Sequence, residues 1–116
     1  MNLVAGSFPL QTYRNLNLST TGQIVKASKG YVHEMFVSNN AASARFLKFY
    51  DKATAPTNSD TPIRTYELQA NASYFMNIEL GVSFLSGISI RASTGVADND
   101  NTAPSANDVI VNIGYL

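Results

Sequence analysis

Apolar and polar residues alternate with a period of two in three stretches of this chain. Tyr74, Met76, Ile78 and Leu80 share one face, with Asn77 and Glu79 among the residues of the other. Ile88, Ile90 and Ala92 alternate with Ser89, Arg91 and Ser93. Val109, Val111, Ile113 and Tyr115 alternate with Asp108, Ile110, Asn112 and Gly114. This period, with one apolar face, marks a half-buried β-strand. Four further β-rich segments are expected at Ile24–Ala27, Tyr31–Ser38, Arg45–Asp51 and Ile63–Gln69. They are separated by turn signals, among them Lys29-Gly30, Asn39-Asn40 and a polar loop carrying Pro56 and Pro62. No run has a convincing helical period, and no internal repeat is present. Seven or eight short strands predict one all-β domain, an antiparallel β-sandwich of jelly-roll type, with an immunoglobulin-like sandwich as second choice. The Cys-Trp-Cys landmark of antibody domains is missing, because the chain has neither residue type.

Two segments depart from simple alternation. Tyr31–Val37 carries Val32 and Phe36 against Met35 and Val37, and Arg45–Tyr50 carries Leu47 and Phe49 against Phe46 and Tyr50. Strands apolar on both faces are normally covered on both. The expected second cover is the N-terminal segment or another subunit. Residues 1–22 have apolar side chains at no clear period and Pro9 among them, so they read as an extended arm or a first strand, with 23–116 as the sandwich.

Composition narrows the function. The 116 residues support one core. Only 14% are charged, about half the usual share, so Asn, Ser, Thr and Gln must cover much of the surface. Neutral polar groups cost less to desolvate than ions, which favours packing against neighbours. Eight basic residues balance eight acidic ones without a Lys/Arg cluster, arguing against nucleic acid and anionic membrane as partners. The absence of cysteine excludes disulfides and thiolate metal sites. No apolar run is long enough to span a bilayer as a helix, and the first residues lack the basic and apolar regions of a signal peptide. The Asn17-Leu-Ser19 and Asn71-Ala-Ser73 sequons are therefore read as chance matches.

No catalytic or cofactor-binding residue is expected. His33 is the only histidine and falls inside a strand, with no nucleophile motif beside it. The three glutamates all fall on strand faces. Asp98-Asn99-Asp100-Asn101 offers oxygen ligands of the kind calcium takes, with Asp108 further on. An EF-hand loop would need Gly where Ala103 stands and a closing Glu, and neither is present. The run reads as a turn whose Asx side chains bond their own backbone, and no metal is assigned. Exposed tyrosines are a possible sugar platform, although packing explains them equally well.

From Arg45 onward the chain resembles small virion structural proteins of tailed bacteriophages, of the capsid decoration or cement type. The resemblance lies in Arg45-Phe-Leu-Lys-Phe-Tyr-Asp-Lys52, the Ala55-Pro…Thr61-Pro loop, and Gly81-Val-Ser-Phe…Gly87-Ile-Ser-Ile. It continues in Thr94-Gly-Val-Ala-Asp98 and Asp108-Val-Ile-Val-Asn-Ile-Gly-Tyr115, and is weaker over Gly22–Asn40. It implies a non-enzymatic protein without cofactor, made in the host cytoplasm and placed on the capsid surface. Its implied partners are itself, as a homotrimer, and the major capsid protein or another virion protein. Phe46, Phe49 and Tyr50 are the expected interface, with Leu3, Val4 and Phe8 as arm anchors. A tail, baseplate or fibre-associated module is the alternative, and a carbohydrate- or receptor-binding module comes third.

Overall fold

The computed structural model of the protein describes residues 8–116. Leu3 and Val4 lie outside the described residues. Eight strands follow one another: β1 (Gln11–Asn15), β2 (Gln23–Lys26), β3 (Gly30–Asn39), β4 (Arg45–Asp51), β5 (Arg64–Leu68), β6 (Ala72–Phe84), β7 (Ile88–Ser93) and β8 (Val109–Tyr115). They form two four-stranded antiparallel sheets, ordered β1-β8-β3-β6 and β2-β7-β4-β5. The pairs 1–8, 2–7, 3–6 and 4–5 nest like one long hairpin rolled on itself, which is the jelly roll. An immunoglobulin-like order is thereby excluded. Gln11–Asn15, within the segment read as arm or first strand, is a strand of the first sheet and pairs with Asn15↔Val111 through Gln11↔Tyr115.

The core lies between the sheets. Val109, Val111 and Ile113 enter it from β8, and Ile88, Ile90 and Ala92 from β7, all without solvent exposure. Leu47 and Phe49 of β4 meet them, and Phe49 packs edge-on against Tyr66 at 5.9 Å. The alternation read from the sequence therefore assigns the β7 and β8 faces correctly, while in β4, which showed no single apolar face, Phe49 of the expected interface is a core residue.

Two irregularities explain where alternation fails. Against β8, Val32↔Tyr115 is followed by Glu34↔Gly114, so β3 carries one extra residue there. This bulge changes the phase of the strand, and Val32, Met35 and Val37 all reach the core while Phe36 faces out. Strand β3 is thus not apolar on both faces over its whole length. Against β6, Val32↔Val82 is followed by Glu34↔Asn77, leaving His33 opposite residues 78–81. The extra length of β6 loops outward, and Leu80, expected on the apolar face, is 85% exposed. Gly81 closes the loop at φ 84°, a conformation that side chains bearing Cβ resist.

Strand β4 is apolar on both faces for a different reason. The residues after β4 and those between β7 and β8 fold back over the outer face of its sheet. Pro56 and Pro104, in these two connections, are buried. Of the two covers expected, the N-terminal segment contributes at Thr20, whose carbonyl accepts from Arg91 of the neighbouring strand, and the chain's own loops cover the remainder.

Candidate interaction surface

The two sheets differ on their outer faces. On the β2-β7-β4-β5 sheet, Phe46, Lys48 and Tyr50 of β4 and Ser89, Arg91 and Ser93 of β7 point away from the core and are nevertheless buried. Lys48 Nζ donates to the Ala97 carbonyl at 2.5 Å. Arg91 donates to the Thr20 carbonyl at 2.8 Å, to the Tyr50 hydroxyl at 3.1 Å and to Asn101 Oδ1 at 2.8 Å. Burial, and secondarily the Arg91 charge, pull the Lys48 ammonium below the usual lysine range, with Asp100 and Asp98 opposing. This face is a closed polar floor beneath a roof of loop backbone.

The face of the β1-β8-β3-β6 sheet has no such roof among the described residues. Phe36 of β3 and Phe75 of β6 are register partners there, 43% and 62% exposed. Around them stand Asn112, opposite Phe36, and the Ser38–Ser73 hydroxyl pair at 3.1 Å. Two neighbouring phenyl groups thus stand exposed together on a mostly neutral sheet face.

This face ends at a free edge. Strand β6 pairs with β3 on one side and with no strand on the other among the described residues. Its residues Ala72–Ile78 carry no charge and no proline. The other edges are blunted by charge: Arg14 in β1, Lys26 in the four-residue β2, and Arg64 and Glu67 in β5. Between the β5 and β6 edges the sandwich is incompletely closed. A cavity of about 60 Å³ opens there beside Met35, Leu47, Tyr66, Leu68, Tyr74 and Met76.

The residues expected to form a site are dispersed. Phe49 belongs to the core, while Phe46 and Tyr50 lie under the loop roof, so none of the three offers surface to a second chain. Phe8 is exposed ahead of β1. His33 plugs the outward loop of β6, its Nδ1 at 3.2 Å from both the Ile78 and Glu79 carbonyls, and among the described residues it hydrogen-bonds to no nucleophile or carboxylate side chain. In the 98–101 run, Asp100 Oδ1 accepts from the Thr102 amide and Asn101 from Arg91. Asp108 pairs with Arg45 at 3.2 Å. Among the described residues no group of three His, Cys, Asp or Glu side chains is arranged to hold a metal. Sequence reasoning passed over Phe75, whose signal was an aromatic residue on the polar face of an alternating strand.

The described residues thus define an eight-stranded jelly roll with one sheet face roofed and the other open. No family model matches this chain, and no curated protein matches it. Among solved structures, the coat protein of Tobacco streak virus is similar with a TM-score of 0.44 and 13% identity, over 91% of this chain and 83% of that one. That similarity is too low to bear on function.

Proposed function

We propose that this chain is a non-enzymatic virion structural protein that binds an assembled phage capsid as a decoration or cement protein. The observation that carries this reading is the open Phe36–Phe75 face beside the uncharged β6 edge. Such a surface suits contact with protein and offers nothing for bond chemistry. The jelly roll agrees with the fold predicted from the strand pattern, although fold alone does not assign a role. A protein that binds only the assembled shell stabilises it by mass action, and needs neither cofactor nor net charge. Its partners in this reading are other copies of itself and the major capsid protein or another virion protein.

The test is immunogold labelling of purified virus particles from the source of this gene, with an antibody raised against the protein. Label on the head surface is the expected result. Label confined to tails or fibres would favour a tail, baseplate or fibre module, and unlabelled particles would overturn the virion assignment.

One observation favours a carbohydrate-binding reading instead. Thr20, Thr21, Thr57, Asn58 and Asn101 line an open cleft of about 380 Å³. Its neutral hydroxyls and amides suit sugar hydroxyls, but no aromatic side chain lines it as a stacking platform. Saturable binding on a glycan array, lost on Asn58→Ala, would promote that reading.

A further inference from the structure

We propose that two copies of this chain pair through β6, antiparallel about a twofold axis at Phe75, joining their open sheets into one eight-stranded sheet. The inference uses the surface described above and does not depend on the virion role.

The occupant follows from what the edge presents. An unpaired strand edge offers alternating N–H and C=O groups that another strand satisfies, so the partner is an extended strand. Of the four edges in the sandwich, only β6 offers a run of uncharged, proline-free residues as long as Ala72–Ile78. The strand is its own complement. In a twofold antiparallel pair, residues directly opposite must point to the same face, so the axis passes through a residue and not between two. With the axis at Phe75, that side chain meets its own copy, Ser73 meets Asn77, and Tyr74 meets Met76. The only charged residue of β6, Glu79, lies in the outward loop beyond the paired run. No like charges are opposed, which is the arrangement that cross-strand pairing requires. On the outer face, Phe36 is already the register partner of Phe75, so the pair aligns four phenyl groups in a row. On the inner face, Tyr74 and Met76 of each copy come to the gap between the β5 and β6 edges.

The contact is isologous and closes at two copies. A closed trimer would need two different complementary surfaces on each chain, and the remaining edges are the charge-blunted ones. The geometry therefore favours a dimer over the homotrimer implied by the resemblance.

The chain contains no cysteine, so a single introduced thiol reports its own geometry. Directly opposed residues in an antiparallel pair have Cα atoms about 4.5–5.5 Å apart, within the span of a disulfide. Phe75→Cys should cross-link to a covalent dimer under mild oxidation. Leu80→Cys, more exposed but away from the axis, should cross-link far more slowly. In parallel, light scattering over a wide concentration series should give the mass of two chains for the unmodified protein. Phe75→Lys, which sets two ammonium groups against each other at the axis, should raise the dissociation constant at least tenfold with the thermal melt of the monomer retained. A monomeric or trimeric unmodified protein overturns the proposal. So does a dimer that Phe75→Lys leaves intact, or cross-linking no faster at position 75 than at 80. Immunogold label on particles would stand in any of these cases, which separates failure of the pairing from failure of the virion assignment.

Discussion

Lys48 and Arg91 stand directly opposite each other on β4 and β7, and neither has any exposed surface. Like charges opposed across a strand pair repel, and burial removes the water that would screen them. The arrangement persists because loop oxygens close over both side chains: the Ala97 carbonyl over Lys48, and the Thr20 carbonyl, Asn101 Oδ1 and Tyr50 hydroxyl over Arg91.

The two cations contribute unequally. Arg91 ties three separate segments together, so Arg91→Met should destabilise the protein by about 2–4 kcal/mol through acceptors left without donors. Lys48→Met removes a desolvated charge and its repulsion while leaving one carbonyl unpaired, and should fall within about 1 kcal/mol of the unmodified protein. Urea denaturation midpoints of the two variants give the comparison directly. A larger loss for Lys48→Met than for Arg91→Met would contradict this account.

Lys48 also sets a pH dependence. Its ammonium is held below the usual lysine value in the folded state, first by desolvation and then by Arg91. Between the folded and unfolded pKa the unfolded chain binds more protons, so stability rises with pH there. The unmodified protein should therefore gain on Lys48→Met as the pH climbs toward about 10.4, the unperturbed lysine value. Paired urea titrations through the alkaline range would show it, and a gap independent of pH would refute it.

At the acid end the carboxylates act in the opposite sense. Asp51 accepts from the amides of Ser86 at 2.7 Å, Leu85 at 3.1 Å and Gly87 at 3.3 Å, and these bonds, Ser86 foremost, hold its pKa below the usual value. Asp60 is lowered chiefly by its hydrogen bond from Lys52. A depressed folded pKa stabilises above the unfolded value of about 3.9 and loses that contribution as pH falls through the folded value. Asp51→Asn should cost about 1 kcal/mol at neutral pH, and the difference should close in acid. Thermal melts across this pH range provide the check.

Gly87 is enclosed by backbone. A Cβ placed there would stand 2.7 Å from Ala53 Cα and from the Lys52 carbonyl oxygen, and 2.9 Å from that of Lys26. Backbone cannot rotate aside, so Gly87→Ala should cost about 1–3 kcal/mol, as overpacking does. A variant with an unchanged melting temperature would show that the turns after β2 and β4 yield more easily than their packing indicates.

Much of the fold was legible because most strands keep a strict period of two. Val109, Val111 and Ile113 announced the core face of β8, and Ile88, Ile90 and Ala92 that of β7, whereas β4, apolar on both sides, left the core residue Phe49 grouped with the expected interface. Period cannot report a bulge in advance, so Phe36 was grouped with the core residue Val32 although the extra residue in β3 turns it outward. Nor can it distinguish a polar face in solvent from one under a roof. Ser89, Arg91 and Ser93 look solvated by composition, and their burial depends on where loops separated in sequence fold back. The burial of Phe46 and Tyr50 was missed for the same reason. Phe46 and Tyr50 signalled a second cover correctly, but period could not choose between the chain itself and another subunit as its source, and it did not single out Phe75.

The central position of β8 in its sheet governs the timing of assembly. During synthesis, β1 and β3 are complete long before Val109–Tyr115, the strand that must lie between them, has been made. Until it emerges, β1 has no ladder to join, and β3 can pair only with β6. Closure of that sheet thus waits on the last strand, and folding dominated by such distant pairings is slow. In that interval the nascent chain presents two open edges and an uncovered core, making it the stage most vulnerable to aggregation and most dependent on chaperones.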